Sequence, residues 1–463
     1  MSTWEKMIKF TGITFAAGAL LVGCGSGDTS ESDSIAASDI STDEEVNLEV
    51  WLTPQWKGVY DATEDGADYD SFLLKAAELY EADNPNVNIE VQVIPSDQRN
   101  SKLSVALDTD SLPNVFFDSS FALSAWPHQG VALPLNDVIS EESRADISET
   151  IWDNVTIGDD VYFYPFAQNQ GTLVYNAEMF EAAGLSEYVK DADEIASWST
   201  DEFVEILTAL KEANPNVSPL GFFSMNEQGD TWNMMYTRAF GNEFYGEDGS
   251  IILDESNGVK AFEYINNLNE NGLLIGGAES LTSNEVNALF QNQEVAVSFT
   301  NTILYNNMLA DMNNNVIDSF DARLANVPAA EGVNPPVFTY VLSSIAFDTL
   351  DDSENAVAKD FIKFYSEHED LTNASTNTLP IRSSVSQEFA SELPLLEAYN
   401  ENEKNIINFS NNISGYAELR NVFFPEIQAM LIGDKTPEQA AQDFSTAGSA
   451  IIETGKKQSL IAE

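Results

Sequence analysis

Residues 162–185 read YFYPFAQNQGTLVYNAEMFEAAGL, and the stretch changes character midway. It opens with aromatic residues around Pro165. Three amides follow, Gln168, Asn169 and Gln170. A strand-like run over 172–175 comes next, and then a helix-like run. An amide cluster directly before a buried strand has two explanations. It is a polar loop capping the strand end, or it marks a chain crossing between two folded halves. In the second case the amides face the gap, where they donate to and accept from hydroxyl groups.

The flanking sequence favours an α/β architecture. VNLEVWLT (46–53) reads as a strand, 71–82 as an amphipathic helix, and NIEVQVIP (88–95) as a second strand. A short helix over 102–107 precedes a third strand, NVFFD (114–118). Strand, helix, strand, helix, strand implies parallel pairing. Ligands in such sheets bind beyond the carboxyl ends of the strands, which nominates the loops after Thr53 and Phe117. Helices are expected over 200–213, with Ser199 or Thr200 as N-cap, and over 257–271, closed by Gly272. Strands are expected over 294–300 and 343–348, and helices over 356–366, 421–432 and 437–454.

At 463 residues the chain is long for one core, so two domains are expected. Asp and Glu number 76 against 20 Lys and Arg, a net charge of −56. That field repels phosphate backbones, so nucleic acid is not a partner. It disfavours anionic ligands and membrane surfaces as well. The acids are scattered along the chain, which reads as a solvated surface rather than an acidic site. The single cysteine, Cys24, excludes an intramolecular disulfide. Before it lie Lys6, Lys9, a short apolar run and Leu21-Val22-Gly23. This resembles the bacterial lipobox, which implies a signal peptide over 1–23 and a lipid on the Cys24 sulfur. Residues 24–45, rich in Ser, Asp, Glu and Gly, read as a disordered tether. The resulting expectation is a chain held on the outer face of a bacterial cytoplasmic membrane.

Several segments resemble the sugar-binding family of extracellular solute-binding proteins of ATP-driven importers. The family pattern around 165–180 falls on Pro165, Phe166, Ala167, Thr172, Leu173, Val174, Tyr175, Asn176 and Phe180, departing at Thr172 and Ala182. WSTDEFVEILTALKEA, LFQNQEVAVSFTN, ENAVAKDFIKFYSEHE and TLPIRSSV are similar to later family segments, in the same order. The resemblance implies an α/β, type II periplasmic-binding-protein-like fold. Each lobe would be a mainly parallel sheet flanked by helices, with the ligand cleft between. It implies an N-terminal lobe of 46–165 plus 295–345 and a C-terminal lobe of 170–290 plus 350–463. Residues 164–172 would be one crossing, and the amides there would face the cleft.

A sugar presents flat C–H faces rimmed by hydroxyls, so a receptor needs aromatic plates with polar groups at their edges. Gln55 and Trp56 follow the first strand; Trp56 is a plate or a core residue. Asp118 and Ser119 follow the third, where Asp118 accepts hydroxyls or caps a helix. Trp126 is nearby and reads more as core. Gln168 and Asn169 belong to the crossing. Trp232 and Tyr236 stand at i and i+4 and share one helix face, to a ligand or to the core. Asn301 ends the returning strand. Tyr340 and Arg382 correspond to cleft-lining segments in the family, Arg382 alternatively forming an ion pair.

Only His128 and His368 occur, and no zinc, phosphate-loop or hydrolase-elbow motif is present. No cofactor or metal is expected. The expectation is therefore a monomeric, non-enzymatic lipoprotein that captures a neutral mono- or oligosaccharide by hinge closure. It would deliver the sugar to a permease whose ATPase is a separate subunit. The rivals are a secreted carbohydrate-active enzyme, which needs only two spaced carboxylates, and a receptor for another solute such as a polyamine.

Overall fold

The computed structural model describes residues 45–461 except 61–63, 226–229, 369–370, 372–377, 392 and 394. The leader, Cys24 and all of the tether but Glu45 lie outside the described residues.

Two hydrophobic cores organise the chain. In the first, strand Val46–Leu52 lies between Val87–Val93 and Val115–Ser119, all parallel. Helices Ser71–Asp83 and Arg99–Asp108 make the crossovers. Strand Thr339–Ala346 then adds antiparallel to Val115–Ser119. In the second core, strand Val295–Asn301 pairs antiparallel with the far half of strand Tyr164–Asn176 and parallel with Ser218–Leu220. Helices Thr200–Ala213, Ser256–Glu270, Tyr416–Leu431 and Pro437–Gln458 carry apolar side chains into it. Local sequence accounts for the helix starts. Ser199 and Glu202 form a reciprocal capping box, and so do Thr282 with Glu285 and Thr436 with Gln439.

Strand Tyr164–Asn176 joins the cores. Gln168, Asn169 and Gln170 pair with Val341, Tyr340 and Thr339, whereas Gly171 to Tyr175 pair with Asn301 to Val297. Two further segments cross beside it. Phe338 packs in the second core and Val341 in the first; Leu379 packs in the second and Ile381 in the first. The register slips between Leu342 and Ser343, opposite Pro165. Proline brings no amide hydrogen to a ladder, and a bulge absorbs the missing bond. At the changeover Gly171 leaves room for Phe338, whose ring would lie 2.0 Å from an added Cβ.

Two expectations change. The sheets are mixed rather than mainly parallel, because segments that cross between lobes return in the opposite direction. The lobes also divide differently. Strand Val295–Asn301 lies in the second core, not the first, and helix Asp352–Glu367 packs Val357, Phe361 and Tyr365 into the first, not the second. Hydrophobic periodicity sets an element's buried face; it does not say which core receives it.

Further contacts tie the lobes together. The Asn412 side chain donates to the carbonyls of Thr156 (2.8 Å) and Asp153 (3.2 Å). The C-terminal tail reaches the first lobe, where the Leu460 amide donates to the His128 carbonyl at 2.9 Å.

Near the crossing, Glu367 Oε1 accepts hydroxyl hydrogens from Ser143 (2.6 Å), Ser140 (2.7 Å) and Tyr164 (2.8 Å). Burial alone would raise its pKa, but these bonds and the Lys363 charge outweigh burial and hold it below the ordinary value. A lowered folded-state pKa contributes stability that is complete above the unfolded value, about 4.3. That contribution is lost as the pH falls through the lower folded value. Urea denaturation across acidic pH should therefore show Glu367→Gln less stable than the parent at neutral pH. The difference between the two should shrink as the pH falls below about 4.

Candidate functional site

Where the third strand of the first core ends, Ser119 caps a short helix by accepting the Ala122 amide at 3.3 Å. That helix places Phe121 between the lobes. Its ring meets Tyr340 at 5.5 Å on the returning strand and Tyr416 at 5.1 Å on the second lobe. Tyr340 also meets Phe338 at 5.3 Å and Trp232 at 6.4 Å. The Trp232 ring lies 4.6 Å from Phe299, and its Nε1 donates to the Thr300 carbonyl at 2.9 Å. Phe409 extends the group, 5.6 Å from Tyr416. The rings thus form one aromatic cluster against the second core, joined by Phe121 from a helix that follows a first-core strand, and Phe121 and Tyr340 keep part of their surface open. Offset and edge-on pairs of this kind leave ring faces available for stacking.

Polar groups stand at or just beyond strand ends of the first lobe. Asp118, one residue before Ser119, pairs with Arg99 at 2.8 Å. Gln55 Nε2 donates to Thr53 Oγ1 at 3.0 Å, beyond the first strand. On the second lobe Asn301 accepts the Leu304 amide at 2.9 Å and caps helix Thr302–Asn313.

Other expected site residues serve the interior. Trp56 packs on Phe72 (4.6 Å) and Phe166 (6.2 Å) and is a core residue, not an open plate. Trp126 packs on Phe347 at 6.2 Å, and Tyr236 on Phe222 at 6.0 Å. Burial pushes the Tyr236 hydroxyl far above its ordinary pKa, as expected for a core tyrosine. The amides do not face an open gap. Gln168 Oε1 accepts the Thr339 hydroxyl at 3.4 Å, Asn169 Oδ1 accepts the Ile303 amide at 3.2 Å, and Gln170 Nε2 donates to the Tyr399 carbonyl at 3.1 Å. Asn169 and Gln170 satisfy backbone groups of the segments that pack against the crossing. Arg382 is a clamp within the first lobe. It donates to the Ser366 carbonyl (3.0 Å) and Ser143 Oγ (2.9 Å), with Asp146 at 3.7 Å.

Phe121, Phe409 and Tyr416 escaped the sequence reading. Tyr416 and Arg420 do show a usable signal, the same i, i+4 spacing that singled out Trp232 and Tyr236. Phe121 shows none beyond its place after a strand end. Surface depressions exist elsewhere. One of about 730 Å³ is lined by Asn326, Asn334, Glu397, Asn402 and Lys404, and one of about 590 Å³ by Ser148, Ile381, Gln387 and Glu403. Neither has an aromatic lining residue, so neither offers a sugar its plate. Among the described residues no group of three or more His, Cys, Asp or Glu is placed to hold a metal.

Two separately packed α/β lobes, joined by crossing strands and meeting at a shared ring cluster, define a two-lobe solute-binding protein. The profile of the bacterial extracellular solute-binding protein family matches residues 63–371, and the chain belongs to that family. Proteins from Brucella abortus and Brucella suis are each 20% identical over 388 residues, covering 82% of this chain and 90% of their own. The cyclic α-maltosyl-1,6-maltose binding protein of Arthrobacter globiformis superposes with a TM-score of 0.70 at 19% identity, over 89% of this chain and 100% of its own. The sugar-binding protein MalE of Xanthomonas citri does so with 0.70 at 15%, over 88% and 98%. A Thermotoga lettingae solute-binding protein bound to α-D-tagatose gives 0.68 at 18%, over 88% and 99%. Family and fold are those of binding proteins rather than enzymes. Among the described residues no helix is long and apolar enough to cross a membrane.

Phe121→Ala and Tyr340→Ala each remove a partly open ring. Calorimetric titration with a saccharide that binds the parent should show about fivefold to about 100-fold weaker binding in each, given about 1–3 kcal/mol per lost ring contact. An unchanged affinity in both would place the ligand elsewhere.

Proposed function

We propose that this protein is an extracellular saccharide receptor that closes around a mono- or oligosaccharide and presents it to the permease of an ATP-driven importer. One observation carries the reading: a ring cluster on the second core that Phe121 joins from a helix following a first-core strand, with Asp118, Gln55 and Asn301 at or just beyond strand ends. Phe121 and Tyr340 supply partly open apolar plates backed by the buried Trp232 and Tyr416, and the polar groups at the nearby strand ends meet hydroxyls. A ligand touching both lobes favours the closed arrangement by the contacts it makes only there. Solved neighbours that bind cyclic α-maltosyl-1,6-maltose, tagatose and maltose support a sugar over a polyamine. The family supports transfer to a permease with a separate ATPase.

The lobes serving this function are taken as 46–167 with 341–371, and 173–338 with 395–452, following the two cores. Cys24 is proposed as the lipid anchor at the outer membrane face, and the receptor is proposed to act as a monomer.

A thermal-shift screen against sugars, oligosaccharides and polyamines tests the reading, because a ligand that binds only the folded form raises the melting temperature. A rise of several degrees with one class of saccharide is expected. A rise with polyamines alone, or turnover of the sugar on long incubation, contradicts it.

A further inference from the structure

His128 lies in the first lobe, two residues after Trp126 of its core, yet both of its ring nitrogens meet the second lobe. It is 1% exposed. Nε2 stands 2.9 Å from the Asn412 carbonyl, which can only accept, so this nitrogen carries a hydrogen and donates it. Nδ1 stands 2.9 Å from Ser459 Oγ. Around this ring two segments of the second lobe close on the first. The turn 408–412 sends the Asn408 and Asn412 side-chain amides to the Asp153 carbonyl at 3.0 and 3.2 Å, and the Asn412 amide also to the Thr156 carbonyl at 2.8 Å. Just after helix Pro437–Gln458, the Leu460 amide donates to the His128 carbonyl at 2.9 Å, Leu460 lies over Gly130, and Ile461 packs against the first core.

These ties stand apart from the crossing strands. The Val131 carbonyl, three residues after His128, accepts the Asp348 amide beyond the far end of strand Thr339–Ala346, whose other end lies at the crossing. A rotation at the crossing therefore carries this region along an arc, and hydrogen bonds tolerate only a few tenths of an ångström of such movement. The ties are also continuous with the ring cluster. Phe409, inside the turn, packs 5.6 Å from Tyr416, and Tyr416 packs 5.1 Å from Phe121. They hold the lobes together beside the rings. The turn itself has a costly shape, because Asn411 and Asn412 are consecutive left-handed residues at φ 49° and 48°. Such conformations persist where the surrounding contacts over-determine them.

We propose that His128 is the pin of a clasp that sets the resting separation of the two lobes, and through it the affinity for the ligand. The proposal rests on the two-lobe, hinged reading and not on the identity of the ligand. The bonds of the clasp form only while the lobes are near each other, so they stabilise that arrangement over a spread one. Loss of the clasp lowers the fraction of the protein that is ready to grip a ligand, and the apparent affinity falls with that fraction. Neither the partly open rings nor the polar groups at the strand ends belong to it.

Two variants of the full chain release the clasp from opposite sides. His128→Phe keeps a ring in the buried place and removes both of its side-chain bonds. Ser459→Ala combined with Leu460→Pro removes the hydroxyl and the amide that reach His128. Ser459 already has the extended backbone that a residue before proline needs (φ −59°, ψ 133°), and Leu460 is exposed, so both cores stay intact. Small-angle X-ray scattering without ligand should give a larger radius of gyration for each variant than for the parent, with unchanged circular dichroism. Saturated with a saccharide that binds the parent, variants and parent should share one radius of gyration. Calorimetry should show the variants binding about twofold to about tenfold more weakly, as expected for one net hydrogen bond lost from the closed arrangement. If His128→Phe does not fold, the double variant decides alone. An unchanged or smaller unliganded radius of gyration in the double variant overturns the proposal, and so does an affinity equal to the parent's. A lower melting temperature with unchanged scattering marks a merely structural contact and overturns it too. The unliganded comparison uses no sugar, so failure of every saccharide to bind would overturn the saccharide reading while the scattering still decides on the clasp.

Discussion

The structure depends on one backbone constraint: strand Tyr164–Asn176 has to satisfy its hydrogen bonds in two different cores. Up to Gln170 it pairs with the returning strand of the first lobe, and from Gly171 with strand Val295–Asn301 of the second. Every residue of the strand is buried. A polar backbone group there has no water to turn to, so each must find a partner inside the protein. Gln168, Asn169 and Gln170 answer that demand. Their side chains and carbonyls take up Ile303, Thr378 and Tyr399, which arrive from three other segments. The crossing is thereby pinned by polar contacts as well as by the Phe338 ring packed against Gly171. Under the proposed function this joint would serve as the hinge.

Much of the fold was legible in the sequence. The first three strands and their crossover helices, and the helix starts at Ser199 and Thr436, follow from periodicity and capping residues, which act over a few positions. The division into lobes did not. Strand Val295–Asn301 and helix Asp352–Glu367 have well-marked buried faces, yet nothing local states that each packs with the core opposite to the one expected. The site was legible in part. Trp232 and Tyr340 fall in the ring cluster, and Asp118 at a strand end of the first lobe. Trp56, Trp126 and Tyr236 are equally aromatic and equally near strand or helix ends, but they face inward, a difference of side-chain direction that composition does not carry. The amides show the limit most sharply. Polar residues before a buried strand suggested an open gap, whereas a thirteen-residue strand buried throughout uses them internally.

Over the surface, the excess of acids sets solubility and repels polyanions. The contacts of Asn412 with Thr156 and Asp153, and of the C-terminal tail with His128, bound how far the lobes can separate. Under the proposed function, a sugar held by these rings and by the first-lobe strand ends would touch both lobes and so favour closure.

The central claim is that the two cores are separate bodies whose relative position a ligand changes. Small-angle X-ray scattering of the protein alone and saturated with a saccharide shown to bind by calorimetry tests it most directly. The account predicts a smaller radius of gyration in the saturated sample, with unchanged circular dichroism. Superimposable scattering profiles at full occupancy would contradict it.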